Sequence, residues 1–254
     1  MFLTASGEIM VEDAGRRSFQ FFRPSGEFSR HISFAEKLSL SGTILDHQGN
    51  FIARELGFIQ DKMFYEIKKY DPRLKPLFSI DKVELPIPLP GGGKKVNFAA
   101  LLFGYQTDGA CNICYCRNTA YEIKVFNSEG KHLRSTQKEY GHVKITPEDK
   151  KEILERMQGG AIVKVNVQEM VEFADYYPPL QSFLVNEEGW IIVQTFQKGK
   201  LKGEYENDVF DGEGRLVTQF ISKANISRWR GDKLYGVDET ENGLRVIKRF
   251  HLVW

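Results

Sequence analysis

The chain has 254 residues, of which 41% are hydrophobic and 27% charged, a composition that is ordinary for a folded globular protein and excludes an extended disordered one. Its 35 basic and 34 acidic residues leave a formal net charge of +1, so it lacks the strong positive field that nucleic-acid or anionic-membrane binding usually needs. Its apolar runs fall far short of the roughly 20 residues of a membrane-spanning helix. We therefore predict no nucleic-acid partner and no membrane span.

The N-terminus carries no basic region followed by an apolar core, which is the pattern of a secretory signal. Taken literally, this predicts that the chain stays inside the cell. All three cysteines lie between Cys111 and Cys116, and an odd number cannot form an even disulfide framework. The cysteines therefore give no indication of an oxidising compartment.

Short strands separated by turn residues recur in five groups along the chain. The groups cover residues 5–34, 37–80, 96–133, 181–217 and 225–250. In the third group Ile123 and Val125 alternate with charged residues, and Asn127–Gly130 then turns the chain into a second strand. This stretch, Tyr121–Leu133, is a predicted hairpin, and similar hairpins recur elsewhere in the chain. We therefore interpret its pattern as a feature of the fold and expect any activity to lie elsewhere.

One segment between the third and fourth groups breaks the strand pattern. Residues 146–160 begin with an N-cap threonine and a proline at the first helical position, and they end in glycines, which predicts a short surface helix. A second, weaker helical piece is predicted between Val165 and Ala174. The strand pattern resumes at Leu180, so both pieces belong to an insertion at about residues 140–178.

An aromatic residue precedes the turn in each group. These residues are Phe22, Tyr70, Phe126, Phe210 and Phe250, separated by 48, 56, 84 and 40 residues, and the long separation contains the insertion. A strand with its turn takes about 10 to 12 residues, so four strands give a repeat of about 40 to 50 residues, which is typical of a β-propeller blade. A β-sandwich does not predict repeated copies of one hairpin.

We therefore predict an all-β fold, a β-propeller of four-stranded antiparallel blades with about five visible in this chain and a short helical insertion. It is predicted to form a single domain over residues 1–254. We also expect the two ends of the chain to join in one blade, with Phe2–Thr4 pairing beside Leu244–Val253.

Two kinds of motif carry a family resemblance. The strands Gly7–Asp13 and Asn112–Cys116 resemble the G-x-I-Y-V-x-D strand of bacterial six-bladed β-propellers related to the NHL-repeat proteins, and the hairpins Ile123–Gly130 and Asp208–Gly214 resemble their I-x-V-F-D-x-x-G turn. The resemblance covers most of the chain. It implies a six-bladed ring with a further N-terminal blade and a signal segment, neither of which is seen here. Three alternatives follow: the chain is N-terminally truncated, the ring closes with fewer blades, or two chains complete each other. The resemblance further implies a periplasmic or extracellular location if the chain is truncated, and an oligomer if the ring is incomplete.

The cysteines at positions 111, 114 and 116 have a spacing that a zinc site can use, but a tetrahedral site needs a fourth ligand and the chain has no second cysteine pair. On a strand, Cys114 and Cys116 point to one face and Tyr115 to the other. We therefore predict buried, small hydrophobic side chains, with no metal and no cofactor.

Candidate ligand residues follow from the geometry of a propeller, whose innermost strands line a central channel and whose loops form a concave mouth. The candidates are Arg228, Trp229, Arg230, Tyr105, Tyr176 and Tyr177. The first three lie on the predicted inner strand of the last group, and tryptophan and arginine are enriched at binding hot spots. The alternative is that the arginines pair with acidic neighbours. The tyrosines lie where loops meet inner strands, and core packing is the alternative for them.

No motif brings a nucleophile, a base and an orienting group together, and a Gly-x-Ser-x-Gly elbow is absent from the sequence. We therefore expect a non-enzymatic binding or scaffolding module that binds a protein or a small ligand at one propeller mouth. The alternative is a lactonase-like propeller hydrolase or lyase with a divalent cation such as calcium in the channel. Only analogy at the level of the fold supports that alternative.

Overall fold

A computed structural model describes residues 2–4, 6–34, 38–60, 62–85, 95–98, 103–159, 167–223, 225–240 and 242–252. Contacts within the chain group its residues into two compact units. Unit 1 comprises Met1–Lys94 with Asn127–Lys131, and unit 2 comprises Lys95–Phe126 with His132–Trp254. Of the described helices, none is long and apolar enough to cross a membrane.

Unit 1 holds two four-stranded antiparallel sheets, each with its strands in sequence order. The first consists of β1 (Phe2–Leu3), β2 (Ile9–Asp13), β3 (Ser18–Phe22) and β4 (Phe28–Ser33). The second consists of β5 (Leu40–Leu45), β6 (Phe51–Ile59), β7 (Lys62–Tyr70) and β8 (Pro76–Leu85).

The predicted pairing of Phe2–Thr4 with the C-terminal strand is wrong. Phe2 pairs with Met10 of β2, so β1 extends the first sheet. The reason is a tight turn over Thr4–Glu8, in which the Thr4 N–H donates to the Glu8 carbonyl at 2.8 Å and folds β1 back on β2. Val253, which belonged to the predicted partner, lies outside the described residues.

Unit 2 holds two more four-stranded antiparallel sheets and one sheet of three described strands. A parallel pair is formed by β9 (Val96–Asn97) and β14 (Val171–Glu172). The first four-stranded sheet of this unit consists of β10 (Gly104–Thr107), β11 (Ile113–Cys116), β12 (Glu122–Phe126) and β13 (His132–Gln137). The second consists of β15 (Leu180–Val185), β16 (Ile191–Lys198), β17 (Tyr205–Phe210) and β18 (Leu216–Ser222). The last sheet is β19 (Asn225–Arg230), β20 (Lys233–Glu239) and β21 (Arg245–His251). The chain therefore has the predicted all-β fold class, a β-propeller of antiparallel blades.

One five-residue turn recurs at the hairpins of these sheets. The N–H of its first residue donates to the carbonyl of the fifth, and the N–H of the fourth donates to the carbonyl of the first. In Asp108–Asn112 the Asp108 carboxylate also accepts the N–H groups of Ala110 at 2.9 Å and Asn112 at 2.8 Å. The fourth residue has a positive φ, 85° at Gly214 for example, and Cys111 takes this position at 64°. This turn chemistry fixes the length of each hairpin.

The predicted alignment of aromatic residues is confirmed in four sheets. Phe22, Tyr70, Phe126 and Phe210 each end the third strand of a sheet, at a β-bulge next to the five-residue turn. Phe250 differs, because it lies within β21 opposite Leu234 with no bulge beside it. The four equivalent positions show that the repeat inferred from the spacing is a structural repeat.

The predicted surface helix is confirmed as α1 (Pro147–Gly159). The Asp149 N–H donates to the Thr146 hydroxyl and the Thr146 N–H donates to the Asp149 carboxylate, both at 3.1 Å, which is a reciprocal N-terminal cap. The second helix, α2 (Val167–Met170), is a single turn that leads directly into β14. Residues 160–166 lie outside the described part of the insertion.

The core of unit 2 lies between the sheets β10–β13 and β15–β18. Cys114 and Cys116 are fully buried there with Ile123, Ile191 and Phe210. The prediction that these cysteines act as small hydrophobic side chains is confirmed by this burial. Strand β11 is buried on both of its faces, and in the described part of the chain no group of three or more His, Cys, Asp or Glu side chains is placed to hold a metal ion.

Candidate functional site

Strand β19, which carries three predicted ligand residues, is the first strand of its sheet. Strand β19 lies beside β15, which is the first strand of the preceding sheet. In the same way, β15 lies beside β10, the first strand of the sheet before that. Trp229 is only 5% exposed, packs with Ile192 and Leu234, and donates its indole N–H to the Gly231 carbonyl at 2.7 Å. This tryptophan is therefore part of the core.

The two arginines beside Trp229 point to solvent. Arg230 lies 3.5 Å from Glu187, in the turn between β15 and β16. This is the ion pairing that the sequence left open as the alternative for the arginines. The Arg228 side chain donates to the Ser227 carbonyl at 3.4 Å. Both arginines lie at the end of β19, just before the turn that leads into β20.

The three predicted tyrosines occupy different environments. Tyr105 is buried in β10 opposite Tyr115. Tyr176 is 48% exposed, and its ring centroid lies 5.5 Å from that of His142. Tyr177 is buried and stacks on Phe196, with 4.1 Å between ring centroids and 13° between ring planes. Phe196 lies near the end of β16 that is remote from Glu187 and Arg230, so the six predicted residues do not form one site.

Tyr177 lines a cavity of about 200 Å³ between α1 and the sheet β15–β18, which we name the helix-side cavity. Its lining residues are Phe98, Asp149, Glu152, Ile153, Arg156, Tyr177, Gln181, Phe196, Lys198 and Tyr205. Its charges are paired: Lys198 lies 3.1 Å from Asp149, and Arg156 forms an ion pair with Glu152. The helix-side cavity is thus polar, aromatic and close to neutral.

The protonation of two groups in this cavity follows from their neighbours. Burial disfavours ionisation of Asp149, but hydrogen bonds from Thr146 and Lys198 outweigh it and lower the pKa of this carboxyl group. Burial, reinforced by the nearby Asp149 charge, raises the pKa of Tyr177. At neutral pH the cavity therefore presents a carboxylate and a protonated phenol.

A second cavity, of about 220 Å³, lies between the sheets β10–β13 and β15–β18, and we name it the sheet-side cavity. Its lining residues are Tyr121, Lys138, Glu139, Tyr140, Gly141, Val143, Pro178, Pro179, Thr195, Phe196, Gln197 and Glu206. Phe196 lines both cavities, so its stack with Tyr177 forms part of the wall between them. Tyr121 and residues 138–140 also border a shallower, open depression.

A buried charge cluster lies beneath the sheet-side cavity. Asp208 is fully buried and accepts hydrogen bonds from the Tyr121 hydroxyl at 2.5 Å, Lys138 Nζ at 2.7 Å and Gln219 Nε2 at 2.6 Å. These three donors offset the cost of removing a carboxylate from water. Burial, and then the Asp208 carboxylate, raise the pKa of Tyr121, which keeps its proton as the donor.

The residues of this cluster were missed from the sequence. Tyr121 opens the hairpin that we interpreted as fold information only, and Asp208 lies 87 positions further along the chain. One signal was present: Glu206, Asn207 and Asp208 place three polar residues in a row within a strand, and alternation forces at least one of them inward. That pattern predicts a buried polar group but not its partners.

Comparisons with known proteins find only distant structural similarities to this chain. No protein-family model matches it, and no curated protein matches its sequence. Among solved structures it is similar to a member of the DUF4221 family from Bacteroides vulgatus, with 10% identity over 98% of this chain and 78% of that one and a TM-score of 0.47. It is also similar to virginiamycin B lyase from Staphylococcus aureus, with 8% identity over 99% and 83% of the two chains and a TM-score of 0.43.

A protein of unknown function from Bacteroides caccae is a third likeness, with 13% identity over 87% of this chain and 80% of that one and a TM-score of 0.30. Identities this low and TM-scores below 0.5 carry no argument about what this chain binds or catalyses. The chemistry of the two cavities is therefore the basis for a functional proposal.

Proposed function

We propose that the protein is a binding module and that its ligand occupies the two cavities that share Phe196. The observation that carries this proposal is the Tyr177–Phe196 stack, a pair of aromatic rings between two cavities lined by polar and charged groups. Apolar walls with a few oriented polar groups are typical of ligand sites. Tyr177 is the predicted site residue that this proposal retains.

The size of the cavities limits the ligand. Cavities of about 200 and 220 Å³ are smaller than the roughly 300–1,000 Å³ of sites for drug-sized molecules. The part of the ligand held in each is therefore a small ring, a small organic ion or one side chain of a protein. A protein partner would insert a side chain here and cover the exposed surroundings.

We also propose that the chain belongs to the NHL-related six-bladed group. The motif-bearing strands β2 and β11 and the hairpin β12–β13 support this. An experimental structure of the natural full-length protein tests it, because a closed ring of five blades would contradict the six-bladed assignment.

The binding proposal is tested by ligand-observed NMR with a library of small polar and aromatic solutes on the purified chain. We expect Phe196→Ala to weaken the binders at least about tenfold, since it removes the wall common to both cavities. Tyr176→Ala is the matched control, because this half-exposed ring is next to Tyr177 in the sequence but lines neither cavity. The double variant Arg228→Ala/Arg230→Ala should leave binding unchanged. Loss of binding in the arginine variant with full binding in Phe196→Ala would place the site on β19 and contradict the proposal.

A further inference from the structure

We propose that the sheet-side cavity selects an organic cation, with an ammonium group held between the Glu206 carboxylate and the rings of Tyr140 and Phe196. This inference rests on the proposed binding function and names the chemical class of its ligand. Three independent features of the cavity lead to it: its charge, an unused carboxylate oxygen and its aromatic walls.

The charge of the cavity is negative. Its lining contains one lysine, Lys138, and two carboxylates, Glu139 and Glu206, and the buried carboxylate of Asp208 lies directly behind Lys138. One positive and three negative groups leave a formal charge of −2. The helix-side cavity, by contrast, pairs its two acidic residues with two basic ones. A cation is therefore favoured on the sheet side and not on the helix side of Phe196.

The fold already places one cation in this environment. Lys138 Nζ lies 2.7 Å from Asp208, 3.5 Å from Glu206 and 5.9 Å from the centroid of the Tyr121 ring. Lys138 is occupied by these partners and remains at the base of the cavity. Its position shows that carboxylates and an aromatic ring here accommodate an ammonium group at the distances used in cation–π contacts.

Glu206 retains an oxygen for a ligand. Its Oε1 accepts from Gln219 Nε2 at 3.0 Å and is the atom nearest to Lys138. No donor to its Oε2 occurs among the residues that the structure describes. Because Gln219 and Lys138 both lie against Oε1, we infer that Oε2 is the oxygen that would accept a hydrogen bond from an incoming ammonium group.

The aromatic walls suit an alkylated ammonium group. The Tyr121 and Tyr140 ring centroids lie 6.3 Å apart with 40° between their planes, and Phe196 belongs to the same lining. The electron-rich faces of aromatic rings attract ammonium groups, and quaternary ammonium ions are bound in this way. A cavity of about 220 Å³ has the volume of about seven water molecules, which is room for a small ammonium headgroup.

The test compares choline with 3,3-dimethylbutan-1-ol, its uncharged isostere, by NMR titration and calorimetry on the purified chain. We expect choline to bind at least about tenfold more tightly than the isostere, and Glu206→Gln to remove that preference. The matched control is Glu213→Gln, because Glu213 is an exposed carboxylate in the hairpin after the same strand. Tyr140→Leu is a second variant that keeps the bulk but loses the ring, and it should weaken choline more than the isostere.

Two sources of the cation are distinguished by a third titrant, Nα-acetyl-lysine methylamide. Tighter binding of this compound than of choline would identify a protein side chain as the source, and the reverse order would identify a free alkylammonium compound. Equal affinities for choline and its isostere, no binding of any cation, or choline affinity unchanged in folded Glu206→Gln would each overturn the cation inference. In those cases, solutes from the library that still depend on Phe196 would leave the binding function standing.

Discussion

The hydroxyl of Tyr121, just before β12, donates a 2.5 Å hydrogen bond to Asp208 in β17, so a residue of one sheet satisfies a buried charge of the next. Tyr121→Phe removes this donor and leaves the fully buried carboxylate with one partner fewer. We expect a loss of about 1–3 kcal/mol in the free energy of unfolding. Urea denaturation measures the loss, and Tyr176→Phe, which changes a half-exposed hydroxyl, should have little effect. Equal stability of Tyr121→Phe and wild type would show that this bond is not needed.

A buried ion pair in unit 1 gives a second prediction. Lys69 and Asp46 are almost completely buried, and Lys69 Nζ lies 2.9 Å from Asp46 Oδ2 and donates to the Ser128 carbonyl at 3.1 Å. Lys69→Met leaves a buried carboxylate without its cation and should cost about 3–5 kcal/mol. The exposed pair of Lys151 and Glu155 on α1 is the control, since Lys151→Met should change little. A small effect of Lys69→Met on the urea midpoint would contradict this account.

Substitutions at two turn glycines distinguish the cost of backbone strain from the cost of a steric clash. Gly26 has φ 87° with nothing within 4 Å of the position that a Cβ would take, whereas Gly130 has φ 88° and its Cβ would lie 2.7 Å from the Phe78 ring. Gly26→Ala should cost about 1–2 kcal/mol, the penalty of the left-handed backbone. Gly130→Ala should cost about 1–3 kcal/mol more because the ring must also move. Thermal or urea unfolding of both variants measures the difference, and equal losses would exclude the clash.

Thiol ionisation predicts a loss of stability at alkaline pH. Burial raises the pKa of both Cys114 and Cys116 to about 12. Unfolded thiols ionise near pH 8.5, so the contribution of these groups is complete below that pH and is lost as the pH rises from about 8.5 towards 12. Urea denaturation between pH 7 and 11 should show falling stability, with a shallower fall in Cys114→Ala/Cys116→Ala.

The same burial is checked directly by thiol labelling. At pH 8 the native protein should react slowly with Ellman's reagent, because all three cysteines, including Cys111, are buried. Once the protein is unfolded, all three should react quickly. Rapid reaction of Cys114 or Cys116 in the native protein would contradict the buried environment on which the pH prediction depends.

The parts of the fold that follow from short-range chemistry were predictable from the sequence. The hairpin β12–β13, the capped helix α1 and the repeated aromatic before each turn depend on residues only a few positions apart. The pairing of β1 was not predicted correctly, although its cause is also local. The turn at Thr4–Glu8 has the Gly at its fourth position that marks the repeated turn, and comparing the turns would have placed β1 beside β2.

The site was less predictable because it depends on contacts between distant residues. Tyr177 was singled out at the end of the insertion, where the loop enters the fourth group, but its stacking partner Phe196 lies near the far end of β16. The Tyr121–Asp208 pair joins two sheets, and the sequence contains no spacing rule for such a contact. Trp229 shows a different limit, since its residue type is enriched at binding sites while its side chain is buried in the core.

The ring of Phe196 belongs to both cavities, and this has a thermodynamic consequence. A solute that fixed the ring in one orientation on the helix side would change the shape that a second solute meets on the sheet side. By linkage, the second solute must alter the affinity for the first by the same factor. If solutes bind in both cavities as proposed, Phe196 would couple their occupancies, and a ligand with two suitable ends would gain from filling both at once.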